Sequence, residues 1–186
     1  MLAVGEHGRP ALEGEPMTTF RDGLPLPTEA QVRDIEQRLE VSFPPDYRDF
    51  LLAWNGGQPD PAWFNEPPEL PDADVDYVES FLSVCPQRPT PGSMGDDLES
   101  VAVVYRRDLW LPPEFLPVGV TGGGGGTILL RVAGPRYGAV AGWWAHDTGY
   151  PGGTLVDLSE SWRGFLSSLR DEAVVRAEAQ GRREGD

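Results

Sequence analysis

The side chains able to do acid–base or metal chemistry in this chain are mostly carboxylates. Aspartate and glutamate number 30 against 15 arginines, lysine is absent, and the formal net charge is -15. Only His7 and His146 are imidazoles that titrate near neutral pH. His7 lies in a Gly-, Pro- and Glu-rich opening, and His146 has only its chain neighbour Asp147 beside it. Adjacent loop residues do not make an orienting pair, and no G-x-S-x-G elbow or H-E-x-x-H helix is present. Asp72, Asp74 and Asp76 alternate as the first ligands of a calcium loop do, but Tyr77 stands where that loop requires glycine and Ser83 where it requires glutamate. A solvated acidic loop is the preferred reading, with an irregular divalent-cation site as the alternative. Gly122 to Gly126 could cradle a phosphate with consecutive amides. A phosphate loop also needs a lysine and a following helix, whereas here an apolar strand pattern follows, so the glycines read as a sheet connection. Cys85, the single cysteine, excludes an internal disulfide and a cysteine-rich zinc site and reads as a small buried hydrophobe. No catalytic residue, metal or cofactor is expected, and paired-carboxylate hydrolysis stays open only because so many acids make a close pair almost unavoidable.

Charge is informative once divided by segment. Between Asp60 and Glu99 ten acids face one base, Arg88, which places -9 of the total -15 in 40 residues. Two readings stay open: a solvated loop, or an electrostatic docking face for a cationic protein, because a one-signed field around aromatic anchors speeds association. Direct nucleic-acid binding is excluded, since phosphate repels such a surface. The chain has no apolar run of about 18 residues to span a membrane, and its first residues lack the basic start and apolar centre of a signal peptide. A cytoplasmic location is expected. Of six tryptophans, Trp54 and Trp162 sit on helical stripes and read as core. So does one of Trp143 and Trp144, which point to opposite faces of a strand. Trp63, Trp110 and the other member of that pair are candidates for a contact surface. The candidate partner-binding set is Trp63, Phe64, Asp72, Asp74, Asp76, Glu79, Asp96, Asp97 and Trp110.

The elements that must position these residues start at Thr28. Thr28 and Gln31 form a capping box, and Val32, Ile35 and Leu39 make one apolar stripe, predicting an amphipathic helix. Pro44 and Pro45 end it and start a second helix with Tyr47, Phe50, Leu51 and Trp54 at helical spacing. Asn55, Gly56 and Gly57 tolerate positive φ and predict a left-handed end. Gln58 to Glu79 reads as a long loop, and Phe81 to Val84 as a short strand. Asp97 to Leu109 fits both a helix and an alternating strand. The prolines of Trp110 to Gly119 argue against a regular helix or central strand. Strands are predicted at Thr127 to Ala133 and Ala139 to Trp144, with a short strand or the approach to a helix at Leu155 to Leu158. Trp162, Phe165, Leu166 and Leu169 predict a closing helix.

Phe43, Pro44, Asp46, Tyr47, Phe50, Leu51, Trp54, Asn55, Gly56 and Gly57 reproduce, in order, the opening of the SUKH superfamily, also called SMI/KNR-type domains. The chain resembles that family over roughly residues 25 to 170, through a hydrophobic-Pro-x-x-Tyr turn, the aromatic-Asn-Gly-Gly helix end, the Leu-Pro approach to the sheet, the glycine turn and the closing helix. Arg131 departs from it, standing where an acidic or small polar residue is expected. The resemblance selects the helix for Asp97 to Leu109. It implies an α+β fold, a single SUKH-like domain with an N-terminal helical hairpin packed on a mostly antiparallel sheet and a C-terminal helix. Residues 1–24 are expected to be a flexible leader, of which 1–16 could be an extension before Met17, residues 25–172 the domain, and 173–186 a fraying tail. Bacterial members are largely immunity proteins that bind a cognate polymorphic toxin, often a nuclease, and fungal members are regulatory scaffolds. The resemblance therefore implies a non-catalytic protein-binding module whose partner is a basic protein such as a toxin. A regulatory scaffold and a carboxylate- or metal-dependent hydrolase are the alternatives.

Overall fold

A computed structural model describes residues 18–68, 70, 74–85, 97–122, 125–144 and 152–183. Among these are five helices and eight strands, an α+β arrangement. Helix α1 (Glu29–Leu39) begins with the expected capping box: the Gln31 N–H donates to Thr28 Oγ1 and the Thr28 N–H donates to Gln31 Oε1. Its stripe of Val32, Ile35 and Leu39 is buried. The Glu36 carboxylate accepts the Phe43 N–H across the turn and pairs with Arg48, which fixes the angle to helix α2 (Pro45–Ala53). Tyr47, Phe50 and Leu51 of α2 are buried. Tyr47 and Phe50 meet Phe81, Trp162 and Phe165 in one aromatic cluster with ring centroids 4.9–6.4 Å apart, a spacing at which each pair adds about 1 kcal/mol beyond burial.

Strands β1 (Thr19–Arg21) and β2 (Gln58–Asp60) pair as a small antiparallel sheet, so β1 lies inside the range expected to be a leader. The main sheet is an antiparallel meander in the order β3 (Trp63–Asn65), β4 (Val75–Phe81), β5 (Phe115–Thr121), β6 (Gly126–Arg131), β7 (Val140–Trp144) and β8 (Thr154–Ser159). Helix α3 (Leu98–Asp108) lies between β4 and β5, as the family pattern required. The long loop expected over Gln58 to Glu79 is instead built largely from β2, β3 and the start of β4. Its five prolines hid the strands, but Pro59 needs no second ladder because β2 pairs on one side only, with β1. Similarly, β5 is a central strand despite Pro117, with a register shift between Pro117 and Gly119 accommodating the missing donor. The strand expected over Phe81 to Val84 reaches only Phe81, where β4 ends.

Both sheet faces are covered. The helical hairpin and α4 (Trp162–Ser168) bury one face with Ile128, Leu130, Val140 and Trp144. Tyr105, Leu109 and Leu111 bury Phe115, Leu129, Ala141 and Trp143 on the other. Trp143 and Trp144 are therefore both interior, and neither is the surface residue that strand alternation suggested. After α4 the chain forms α5 (Glu172–Arg183) over the range expected to fray, with Val175 and Ala179 buried.

Candidate protein-docking surface

Among the described residues, Asp60, Glu66, Asp74, Asp76 and Glu79 belong to strands β2 and β4 and the connection from β3 to β4, which gives them fixed positions. Val78 donates its N–H to the Ala62 carbonyl at 2.9 Å, drawing Asp60 and Glu79 toward the same end of the β3–β4 pair. At the other end Glu66 donates its N–H to the Asp74 carbonyl at 3.1 Å, and the Asp74 N–H donates to Glu66 Oε2 at 2.9 Å. Asp60 and Glu79 are exposed, and Glu66 and Asp74 half-buried. Elsewhere on the molecule arginines engage several acids: Arg38 holds Asp34 and Glu99, Arg48 holds Glu29 and Glu36, and Arg136 holds Asp157 and Glu160. Asp60, Glu66 and Glu79 form no ion pair among the described residues. Among the described residues these three carboxylates thus carry no arginine counter-charge within ion-pair distance.

Three members of the sequence-derived set prove to be interior. Phe64 is 5% exposed and packs edge-on against Phe165 at 6.1 Å. Asp76 is 1% exposed on the inward side of β4, opposite Phe64, and its Oδ1 accepts the Tyr77 N–H at 2.7 Å. Asp97, 7% exposed, caps α3 by accepting the Ser100 N–H at 2.7 Å. These three shape the fold and offer no docking surface. Asp72 and Asp96 lie outside the described residues, as do His7, His146, Asp147, Gly123 and Gly124. Asp74, Glu79, Trp63 and Trp110 remain at the surface.

Trp63 is half-buried between the Tyr77 ring, with centroids 4.9 Å apart, and the Arg176 guanidinium, 5.0 Å from its ring centre. Trp110 is 70% exposed and sits just after α3 at φ 54°, in the left-handed region where bulky residues are strained. Leu109 and Leu111 both donate their N–H to the Tyr105 carbonyl, at 3.2 and 3.1 Å, so the two leucines turn inward while the indole projects into solvent. Spacing and composition did not indicate Arg176 or Tyr77 as neighbours of Trp63, because contacts between a helix and a distant strand leave no local trace.

A cleft of about 340 Å³ lies between α1, the chain after β4 and the start of α3, lined by Gln31, Asp34, Ile35, Arg38, Val84, Cys85 and Glu99. Arg38 fills it electrostatically, donating to Glu99 Oε1 at 2.7 Å and Oε2 at 2.8 Å and pairing with Asp34. The Glu99 hydrogen bond raises the Arg38 pKa above its ordinary value, which holds the guanidinium charged in this salt bridge. Cys85 is half-buried on the wall of this cleft instead of in the core. Among the described residues no three His, Cys, Asp or Glu side chains converge as a metal site, and no helix is long and apolar enough to cross a membrane.

The fold and surface together define an α+β domain in which a capped helical hairpin backs an antiparallel meander with an acidic, aromatic margin. The model of the SMI1 / KNR4 family (SUKH-1) matches residues 26–168, and the chain belongs to that family. A crystal structure of a protein from Pseudomonas syringae pv. tomato is similar at 22% identity and a TM-score of 0.45, covering 85% of this chain and 88% of that one. Among curated proteins none matches the chain.

Proposed function

We propose that the chain is a non-catalytic, cytoplasmic protein-binding module, an immunity protein that neutralises a cognate toxin, such as a nuclease, by docking a basic surface of it. The observation that carries this reading is the uncompensated charge of Asp60, Glu66 and Glu79 on β2–β4, on a molecule that pairs many of its other acids with arginine. Such a field attracts a cationic protein, speeds encounter and repels nucleic acid. A nuclease surface that grips phosphate has the complementary sign, so the acidic margin occupies the place of the substrate backbone. The exposed indole of Trp110 is a second anchor of the type that dominates protein interfaces. Family membership agrees, since SUKH proteins are often immunity proteins.

The test is recovery of partners by the tagged chain from its source cells, followed by a toxicity assay. One dominant basic protein whose toxicity is relieved by co-expression of the chain is the expected result. Recovery of several unrelated proteins without any such relief contradicts the immunity role.

A further inference from the structure

Trp63 and Tyr77 stand opposite each other in the β3–β4 register, their rings 4.9 Å apart and inclined at 38°. Over the Trp63 ring lies a cation from the chain itself, the Arg176 guanidinium at 5.0 Å from the ring centre. Arg176 also donates its Nε–H to Glu172 Oε1 at 2.8 Å, one turn back on α5. Much of the attachment of α5 to β3 is polar. Asn65 donates to Glu178 Oε2 at 3.0 Å and accepts from Arg182 at 2.7 Å, while Val175 and Ala179 are the buried apolar side chains of the helix. Asp60, three residues before Trp63, and Glu79, two residues after Tyr77, are exposed and form no ion pair among the described residues.

We propose that the Trp63–Tyr77 ring pair is a receptor for an arginine side chain of the docking partner, and that Arg176 occupies it in the free protein. The proposal rests on the acidic-margin docking reading and names the ligand chemistry of that surface. The occupant is read from the internal one: the Trp63 ring already holds a guanidinium, and the acid-rich segment that carries it favours a second cation. Exchange is nearly balanced at the rings, because one cation–π contact replaces another. The incoming arginine gains the unpaired carboxylates of Asp60 and Glu79, while the departing Arg176 keeps Glu172. Partner docking is thereby coupled to the seating of α5 on β3.

The experiment titrates the full chain with an acetylated, amidated tri-arginine peptide and follows the Trp63 indole N–H by NMR, assigned through its loss in Trp63→Phe. Wild type is compared with Arg176→Gln and with Arg163→Gln. Arg163 is exposed on α4 and its side chain makes no ion pair among the described residues, so it matches the change in net charge away from the rings. The expected result is a Trp63 shift on titration and binding about threefold tighter in Arg176→Gln than in Arg163→Gln, the size of one surface cation–π contact. Thermal melts confirm that each variant is folded. Absence of a Trp63 shift, or equal tightening in both variants, overturns the receptor. Failure of the docking reading shows separately, as a source-cell partner that binds equally well after reversal of Asp60, Glu66 and Glu79.

Discussion

Tyr47 is fully buried among Phe43, Phe50 and Trp162, and its hydroxyl has no hydrogen-bond partner among the described residues. Burial raises the phenol pKa well above its ordinary value near 10, since the charged form cannot be solvated there. A pKa raised on folding gives stability that is complete below the unfolded value and is lost as pH rises from about 10 toward the folded value, because above pH 10 the native state binds more protons than the unfolded one. Tyr47→Phe is therefore expected to flatten the loss of stability above pH 10 and to be neutral or stabilising by about 1 kcal/mol at pH 7, measured by urea unfolding. Trp110 is the opposite case, a large apolar side chain outside and on a strained backbone. Trp110→Gly relieves left-handed strain at a helix end where glycine is preferred, and is expected to raise stability by about 1 kcal/mol while weakening partner binding. A loss of stability in that variant would show that the indole packs for the fold and not for a partner. Trp110, expected on a contact surface, is indeed exposed, whereas burial of the acid Asp76 was not legible from residue type, because it follows from which side of the strand faces the core.

At the level of elements, the helical hairpin was legible because its determinants are local: a cap, an apolar stripe, prolines that open α2 and an Asn-Gly-Gly end. Only the end of α1 was missed, since it stops at Leu39 on a left-handed Glu40 before the prolines are reached. Local signals nevertheless understated Asn55. It does take the expected left-handed conformation, at φ 53°, yet its side chain is also completely buried, donating to the Pro25 and Val84 carbonyls at 2.7 and 2.9 Å and accepting the Val84 N–H at 2.7 Å. The same turn is closed by Ser83, whose hydroxyl donates to the Asn55 carbonyl at 2.8 Å, and a Cβ on Gly56 would collide with that hydroxyl. The motif is thus the clasp between the hairpin and the strand region leading to α3. Asn55→Ala orphans buried backbone groups and is expected to cost about 3 kcal/mol in urea unfolding, with Asn55→Asp intermediate. Strands β2–β4 were illegible because prolines and acids imitate a loop, and their pairing is set by partners distant in sequence. Helix α5 was illegible because its buried stripe is only Val175 and Ala179. Val175→Ala is expected to cost about 2 kcal/mol, from lost methyl burial and a residual cavity, where a frayed tail would lose nothing.

On the scale of the whole molecule, net charge was legible from composition, but its effective distribution was not. Arginine pairs neutralise much of the acid on α1, the hairpin and the β8 margin, leaving Asp60, Glu66 and Glu79 of the acid-rich segment uncompensated. The candidate site keeps its region in the chain but changes members: Phe64, Asp76 and Asp97 withdraw into the structure, while Asp60, Glu66, Tyr77 and Arg176 join the proposed set. The family, matched over residues 26–168, fixes the scaffold, and the docking specificity we propose is assigned to this margin. The most direct test is the association rate of the recovered basic partner with wild type and with the Asp60→Arg, Glu66→Arg, Glu79→Arg triple variant, at about 0.05 and 0.3 M salt. The account expects association at least about tenfold slower in the variant, with the salt dependence of the wild type largely abolished. Equal rates and equal salt dependence would contradict electrostatic docking through this face.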